Sequence, residues 1–265
     1  MIKNKKNWQI IFIPPENHIK MAYLTPFMVL VIFLITACQH PKENFTIHTI
    51  GDSTMADKKP EVYPETGWCQ AFPQLLGPGV TLRNHAVNGR STKSFIEEGR
   101  WKNVTDSLRA GDYVWIQFGH NDQKIQDSTR YAEPRGKYLE NLQKFIIETR
   151  EKGATPILFT SIVRRKFDDS GNPVDTHGEY PEVVRELAST MNVTLIDLQR
   201  LTEKLLFETG AEESKKIYLW TAPDERYPEG RKDDTHLSSE GAATVAGQVA
   251  KELKKMKHPL AAYLK

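Results

Sequence analysis

Cysteine is nearly absent from this chain: Cys38 and Cys69 are the only two in 265 residues. Two thiols allow at most one disulfide and cannot build a cysteine-ligated zinc site. Net charge is nearly missing too, since 36 Lys and Arg face 34 Asp and Glu for a formal +2. Bulk charge therefore gives no reason to expect nucleic acid as a partner. A transmembrane helix needs about 20 apolar residues, and the unbroken run Phe27 to Ile35 falls well short of that. No Gly/Ser/Pro-rich linker divides the chain beyond that run. With 39% apolar and 26% charged residues, the composition is that of a globular protein with a real core, not a solenoid, a collagen-like chain or a disordered polyampholyte.

The short apolar run has a context. Lys3, Lys5, Lys6 and Lys20 precede it and Thr36-Ala37-Cys38 follow it, which is the layout of an export signal. Leu34-Ile35-Thr36-Ala37-Cys38 resembles a bacterial lipobox, in which the cysteine becomes the lipidated first residue. The expected organisation is a lipoprotein-type signal over 1–37, a tether over 38–44 and a single domain over 45–265. The expected location is that of an exported bacterial lipoprotein, periplasmic or anchored to the outer membrane, touching the membrane through lipid on Cys38 only. Translation from Met21 would discard the lysines that make a good leader. The leader's four lysines and one glutamate account for the slight basicity of the chain, and Cys69 is left as a lone thiol. The sequons at Asn44, Asn103 and Asn192 carry no weight in a bacterium.

From Phe45 onward, short β-rich runs alternate with longer helical patterns, which predicts one α/β domain. Strands are expected at Phe45–Ile50, Val80–Val87, Tyr113–Phe118, Pro156–Ser161 and Val193–Leu198, apolar enough to be covered on both faces. The clearest helix starts near Pro134, buries Tyr138, Leu142, Phe145, Ile146 and Thr149, and stops at Gly153. Others are expected over Glu179–Met191, Gln199–Glu208 and about Ser239 to Met256. Right-handed crossovers then give a central five-stranded parallel sheet between two helical layers. Ligands of such sheets sit beyond the carboxyl ends of the strands.

The segments at those strand ends are therefore informative. Gly51-Asp52-Ser53-Thr54-Met55 comes after the first strand, Asn88-Gly89-Arg90-Ser91 after the second and Gly119-His120-Asn121-Asp122 after the third. Asp233-Asp234-Thr235-His236-Leu237-Ser238 precedes the last helix. Together they hold the parts of an acyl-transfer site. Ser53 is a nucleophile in need of a base, and His236 is a base that Asp233, three residues away, can orient through Nδ1. Developing negative charge would be met by the Ser53 and Gly89 N–H groups and the Asn121 amide, Gly89 allowing close approach because it lacks Cβ.

GDSTM, NG, GHND and DDTH, in this order, resemble the blocks of the SGNH (GDSL-like) hydrolase superfamily. GDSTM, NGRSTKSF, GHNDQ and DDTHLSSEGA are most similar to its rhamnogalacturonan acetylesterase branch. The resemblance implies a flavodoxin-like three-layer α/β/α fold and removal of O-acetyl groups from pectic, rhamnogalacturonan-type polysaccharide or oligosaccharide. It also implies Ser53, Asp233 and His236 as catalytic residues and no metal or organic cofactor. Cys69 departs from the small residue, often Gly, expected in the G-W-x-Q stretch, away from the catalytic blocks.

Each assignment has a plainer counterpart. Ser53 alone would more often cap a helix, and Asp52 is read as a turn residue bonding nearby N–H groups. His48 and His85 are expected in strands, and His40 and His258 in solvent. His120, beside Asn121, is kept as a tentative substrate contact or a support behind the site, and Arg90 as a tentative substrate contact. Arg164, Arg165 and Lys166 read as a solvated loop, Asp234 as pointing away from His236, and Trp68, Trp101 and Trp220 as support within the fold. Two rival functions are a metal-dependent phosphoesterase, since GHND inverts a metal-binding G-N-H-D run, and a non-catalytic carbohydrate-binding lipoprotein.

Overall fold

The computed structural model describes residues 44–265; the leader and Cys38 lie outside them. Five parallel strands form the centre: β1 (Phe45–Gly51), β2 (Val80–Asn84), β3 (Tyr113–Gln117), β4 (Thr155–Phe159) and β5 (Thr194–Ile196), ordered β2-β1-β3-β4-β5. The period-2 alternation of the strands serves two cores. Ile47, Trp115, Ile157 and Phe159 point into one, and Ile50, Val114, Ile116 and Leu158 into the other, so each helical layer receives its own row of side chains. The predicted strands are all present with adjusted ends. β2 stops three residues early because the Asn84 side chain turns back to accept from Ala86 N (3.2 Å), although His85 and Val87 still bond to β1 carbonyls.

The helices are α1 (Trp68–Ala71), α2 (Thr92–Glu97), α3 (Arg100–Ser107), α4 (Leu139–Glu151), α5 (Tyr180–Thr190), α6 (Leu198–Glu213) and α7 (Ser239–Lys255). α2 to α5 supply the core that holds Ile50 and Val114, while α1, α6 and α7 supply the core that holds Trp115 and Phe159. The five apolar positions read for the helix after β3 are all buried. That helix begins at Leu139, later than expected, because Pro134–Tyr138 form a wider turn with Gly136 out of helical conformation. Gly153, at φ 71°, takes the left-handed position that ends it.

One element was not anticipated. β6 (Tyr218–Thr221) and β7 (Arg231–Leu237) pair antiparallel as a separate two-stranded sheet. The segment read as a loop before the last helix is thus a strand. Its sequence RKDDTHL hides this, because it is mostly charged and only its last residue is buried.

β1 is flanked by β2 on one side and β3 on the other. The chain leaves β1 for one edge and later returns to its other side, so the crevice that parallel sheets use for ligands opens at the carboxyl end of β1.

Candidate active site

Ser53 sits in that crevice, on a single helical turn in which Met55 and Ala56 both donate to the Asp52 carbonyl. A buried network fixes this turn to β3. Asp52 Oδ1 accepts from Thr54 N (2.9 Å) and Thr54 Oγ1 (2.8 Å), Thr54 Oγ1 accepts from Gln117 Nε2 (2.6 Å), and Gln117 Oε1 accepts from Trp68 Nε1 (2.9 Å). A methyl group at Gly51 would fall 2.7 Å from the Gln117 carbonyl, so glycine is what lets β1 and β3 close at this point.

His236 comes from β7, on the other side of the crevice. Its Nε2 lies 2.9 Å from Ser53 Oγ and its Nδ1 2.8 Å from Asp233 Oδ2. Asp233 Oδ1 accepts from the main-chain N–H groups of Thr235 (2.9 Å) and His236 (3.0 Å). Burial by itself would raise the Asp233 pKa, but the bonds from the His236 ring and main chain outweigh it and hold the carboxyl well below the ordinary range. With Asp233 an anion that accepts from Nδ1, the lone pair on Nε2 faces the serine.

The three expected donors follow β1 and the two strands that flank it. Asn121 is buried and gives one amide hydrogen to the Arg90 carbonyl (3.1 Å), which fixes its orientation and leaves the second hydrogen free. The N–H groups of Ser53 and Gly89 have no acceptor among the described residues. Unspent main-chain donors beside a buried side chain are uncommon. Gly89 reaches this position at φ 77°, where a side chain would be strained.

Several expectations are corrected. His120 is 3% exposed, which fits a support behind the site and not a direct substrate contact. Its Nδ1 lies 3.3 Å from Asp52 Oδ2, and its ring stands edge-on to His177. The Arg90 side chain is turned to Glu98 (3.0 Å) and the Asn88 carbonyl (2.8 Å), so its contribution to the site is its own carbonyl. Arg164 and Arg165 are half-buried and engaged within the fold, not free in a solvated loop. Arg164 donates to the carbonyls of Thr176 and His120, and Arg165 to Asp234 Oδ1 (2.9 Å) and Ser214 Oγ (3.1 Å). His258 is half-buried and accepts from Leu260 N.

Other readings stand. Asp52 bonds its own turn. Asp234 points away, held by Arg165 and by Trp220 Nε1 (2.8 Å). Trp68 and Trp101 are buried, and Trp220 is half-buried against three cations. His48 lies in β1, and His85, just past β2, is in hydrogen-bond contact with it (3.0 Å). Among the described residues, no cluster of three or more His, Cys, Asp or Glu is spaced to hold a metal ion.

The sequence reading missed Gln117, Asp122 and Arg130. Gln117 was detectable as a lone amide in an apolar strand. Asp122 is fully buried, accepts from Thr92 N (2.9 Å) and Oγ1 (2.5 Å), and has its second oxygen unpartnered. Burial pushes its pKa up to about 7. Arg130 has no sequence pattern to mark it.

Residues 49–244 match the model of the GDSL-like lipase/acylhydrolase family. The chain is 42% identical over 225 residues to the rhamnogalacturonan acetylesterase RhgT of Bacillus subtilis, covering 84% of this chain and 95% of that protein. In structure it is similar to YxiM of Bacillus subtilis, with a TM-score of 0.70 and 25% identity over 82% of this chain and 58% of that one. The fold is shared with the acetylxylan esterase Axe2 of Geobacillus stearothermophilus, with a TM-score of 0.60 and 18% identity over 80% of this chain and 94% of that one.

Proposed function

The chain belongs to the GDSL-like lipase/acylhydrolase family, and we propose that within it the protein is a serine acetylesterase of pectic, rhamnogalacturonan-type polysaccharide or its oligosaccharides. The observation that carries this reading is the continuous relay Asp233 Oδ2, His236 Nδ1, His236 Nε2, Ser53 Oγ, with separations of 2.8 and 2.9 Å. The substrate class is supported by the 42% identity to a rhamnogalacturonan acetylesterase.

His236 Nε2 takes the Ser53 hydroxyl proton as Oγ attacks the acetyl carbonyl carbon. The carbonyl oxygen becomes an oxyanion and accepts from the Ser53 and Gly89 N–H groups and the Asn121 amide. Collapse expels the sugar alkoxide, which takes the proton from His236 and leaves acetyl-Ser53. Water, deprotonated by His236, attacks the acyl group; the second collapse returns the proton to Ser53 and releases acetate. Asp233 stays ionised throughout and stabilises the imidazolium.

The test is acetate release from acetylated rhamnogalacturonan fragments beside acetylated xylan, with Ser53→Ala as partner. The substitution should lower kcat by about 10⁴-fold or more. Near wild-type release by Ser53→Ala sinks the mechanism, and a clear preference for the xylan sinks the substrate class. Export on a lipid anchor belongs to the same proposal. Its check is mass spectrometry of the membrane fraction, which should find diacylated Cys38; an unmodified N-terminus elsewhere overturns it.

A further inference from the structure

Beside Gly89 lies a recess of about 250 Å³, whose wall includes Arg90, Ser94, Thr129 and Arg130. Arg130 is the group closest to the glycine: a methyl built there would lie 3.6 Å from Nη1 and 3.9 Å from Nη2. The Arg130 side chain is 37% exposed, and its Nε is held by Asp127 Oδ2 at 3.0 Å. Neither terminal nitrogen has a hydrogen-bond partner among the described residues. One edge of the fork is therefore fixed, and the other is open beside a proposed oxyanion donor. Such an edge matches a carboxylate bidentately.

The neighbouring charges leave this edge available. Glu98 is engaged by Arg90 (3.0 Å) and Arg100 (2.5 Å). Glu97 is exposed and lines the same recess. Lys124, just after Asn121, lies near enough for Arg130 to add to the effect of burial in lowering its pKa.

We infer that Arg130 is a carboxylate-binding residue that selects acetylated sugars bearing a carboxylate on the acetylated ring, that is uronic acids, over neutral acetylated sugars. The inference rests on the acetylesterase reading above and deepens it. In a uronate the carboxyl on C5 and an ester on C2 or C3 stand across one pyranose ring. With the ester carbonyl held at Gly89, the carboxylate of the same ring needs a partner near that glycine, and Arg130 is the nearest side chain with open donors. An acetylated pentose such as that of xylan has nothing to offer there.

Acetylated rhamnogalacturonan oligosaccharides with free carboxylates and the same compounds with methyl-esterified carboxyls present identical acetyl esters to the enzyme. Comparing kcat/KM for the pair isolates the carboxylate. Wild type should favour the free acid about tenfold or more, as one charge-assisted bidentate contact allows. The preference should fall with added salt. Arg130→Gln should bring the ratio to about one, and Arg130→Lys should keep an intermediate ratio, because it retains charge and loses the fork. A preference that survives Arg130→Gln overturns the inference. So does an equal loss on both esters, which would make the guanidinium a general support of the oxyanion. If wild type releases acetate from neither compound while Ser53 still reacts with a fluorophosphonate, the proposed substrate class fails, and the uronate site with it.

Discussion

Changing Asp233 to asparagine tests the relay more sharply than deleting it. The two carboxylate oxygens do different jobs. Oδ1 accepts from two main-chain N–H groups, those of Thr235 and His236, and Oδ2 accepts from His236 Nδ1 and from Arg231 Nη2 (3.1 Å). Asparagine offers one oxygen and one amide nitrogen. The oxygen must go to the Oδ1 side, because the reverse sets donor against donor twice. The NH₂ then faces Nδ1, the ring answers with a lone pair there, and its proton moves to Nε2, the nitrogen 2.9 Å from Ser53 Oγ. A nitrogen that already carries a proton cannot take one from serine. The expected loss in kcat is about 10⁴-fold, or about 5 kcal/mol of transition-state stabilisation. Asp233→Ala leaves the tautomer free, so the asparagine variant should be no faster than the alanine variant although it is the smaller change. Initial rates on p-nitrophenyl acetate, with thermal melts showing both variants folded, decide the matter. An asparagine variant within about tenfold of wild type would refute the assignment of His236 as base.

Arg165 staples β7 to the body through Asp234, Ser214 and the Ala211 carbonyl, with its guanidinium 4.9 Å from the Trp220 ring. Arg165→Met keeps much of the bulk and loses the staple, so kcat should fall about ten- to a hundredfold from misplacement of His236, with faster amide exchange over 231–237; unchanged kcat and exchange would show the staple to be dispensable. Asp122 has a pKa of about 7 in the fold against about 4 when unfolded. The folded state therefore binds the extra proton in that window, and this contribution to stability is present below about pH 4 and lost as pH rises through 7. Asp122→Asn keeps an oxygen for Thr92 and removes the titration. Its Tm should exceed that of wild type near pH 8, by about 2–4 °C per kcal/mol recovered, and a difference that does not grow between pH 4 and 8 would contradict the assignment.

How far each element was legible in the sequence depends on its physics. β1, β3 and β4 are buried on both faces and so must be apolar. The helix after β3 packs one stripe and so shows its period. The four motif blocks were legible because acyl transfer needs particular atoms, not because their structure was evident. β7 was not legible, since a strand in a small, half-exposed hairpin has no reason to be apolar. That Arg164 and Arg165 are engaged within the fold while Arg130 stands open has a similar cause. All are charged residues in loops, and their partners come from segments that only the fold brings near. Asp234 lies 69 residues beyond Arg165. No local pattern separates an arginine that staples a strand from one that is open to a ligand.

The two halves of the relay are held by different means. Ser53 rides on a turn tied into the sheet by Asp52, Thr54, Gln117 and Trp68, all buried hydrogen-bonding groups of the kind that leave a costly unsatisfied partner when one is removed. His236 rides on a hairpin outside the main sheet, aligned by Asp233 three residues away and by the Arg165 staple. Damage behind the serine therefore disturbs the core and the fold together. Damage behind the histidine first loosens a strand that carries little of the core, and so reaches the Nε2 to Oγ distance, and the rate, before it reaches global stability. Nucleophile and base lie 183 residues apart in the chain, yet each is placed by its own local support.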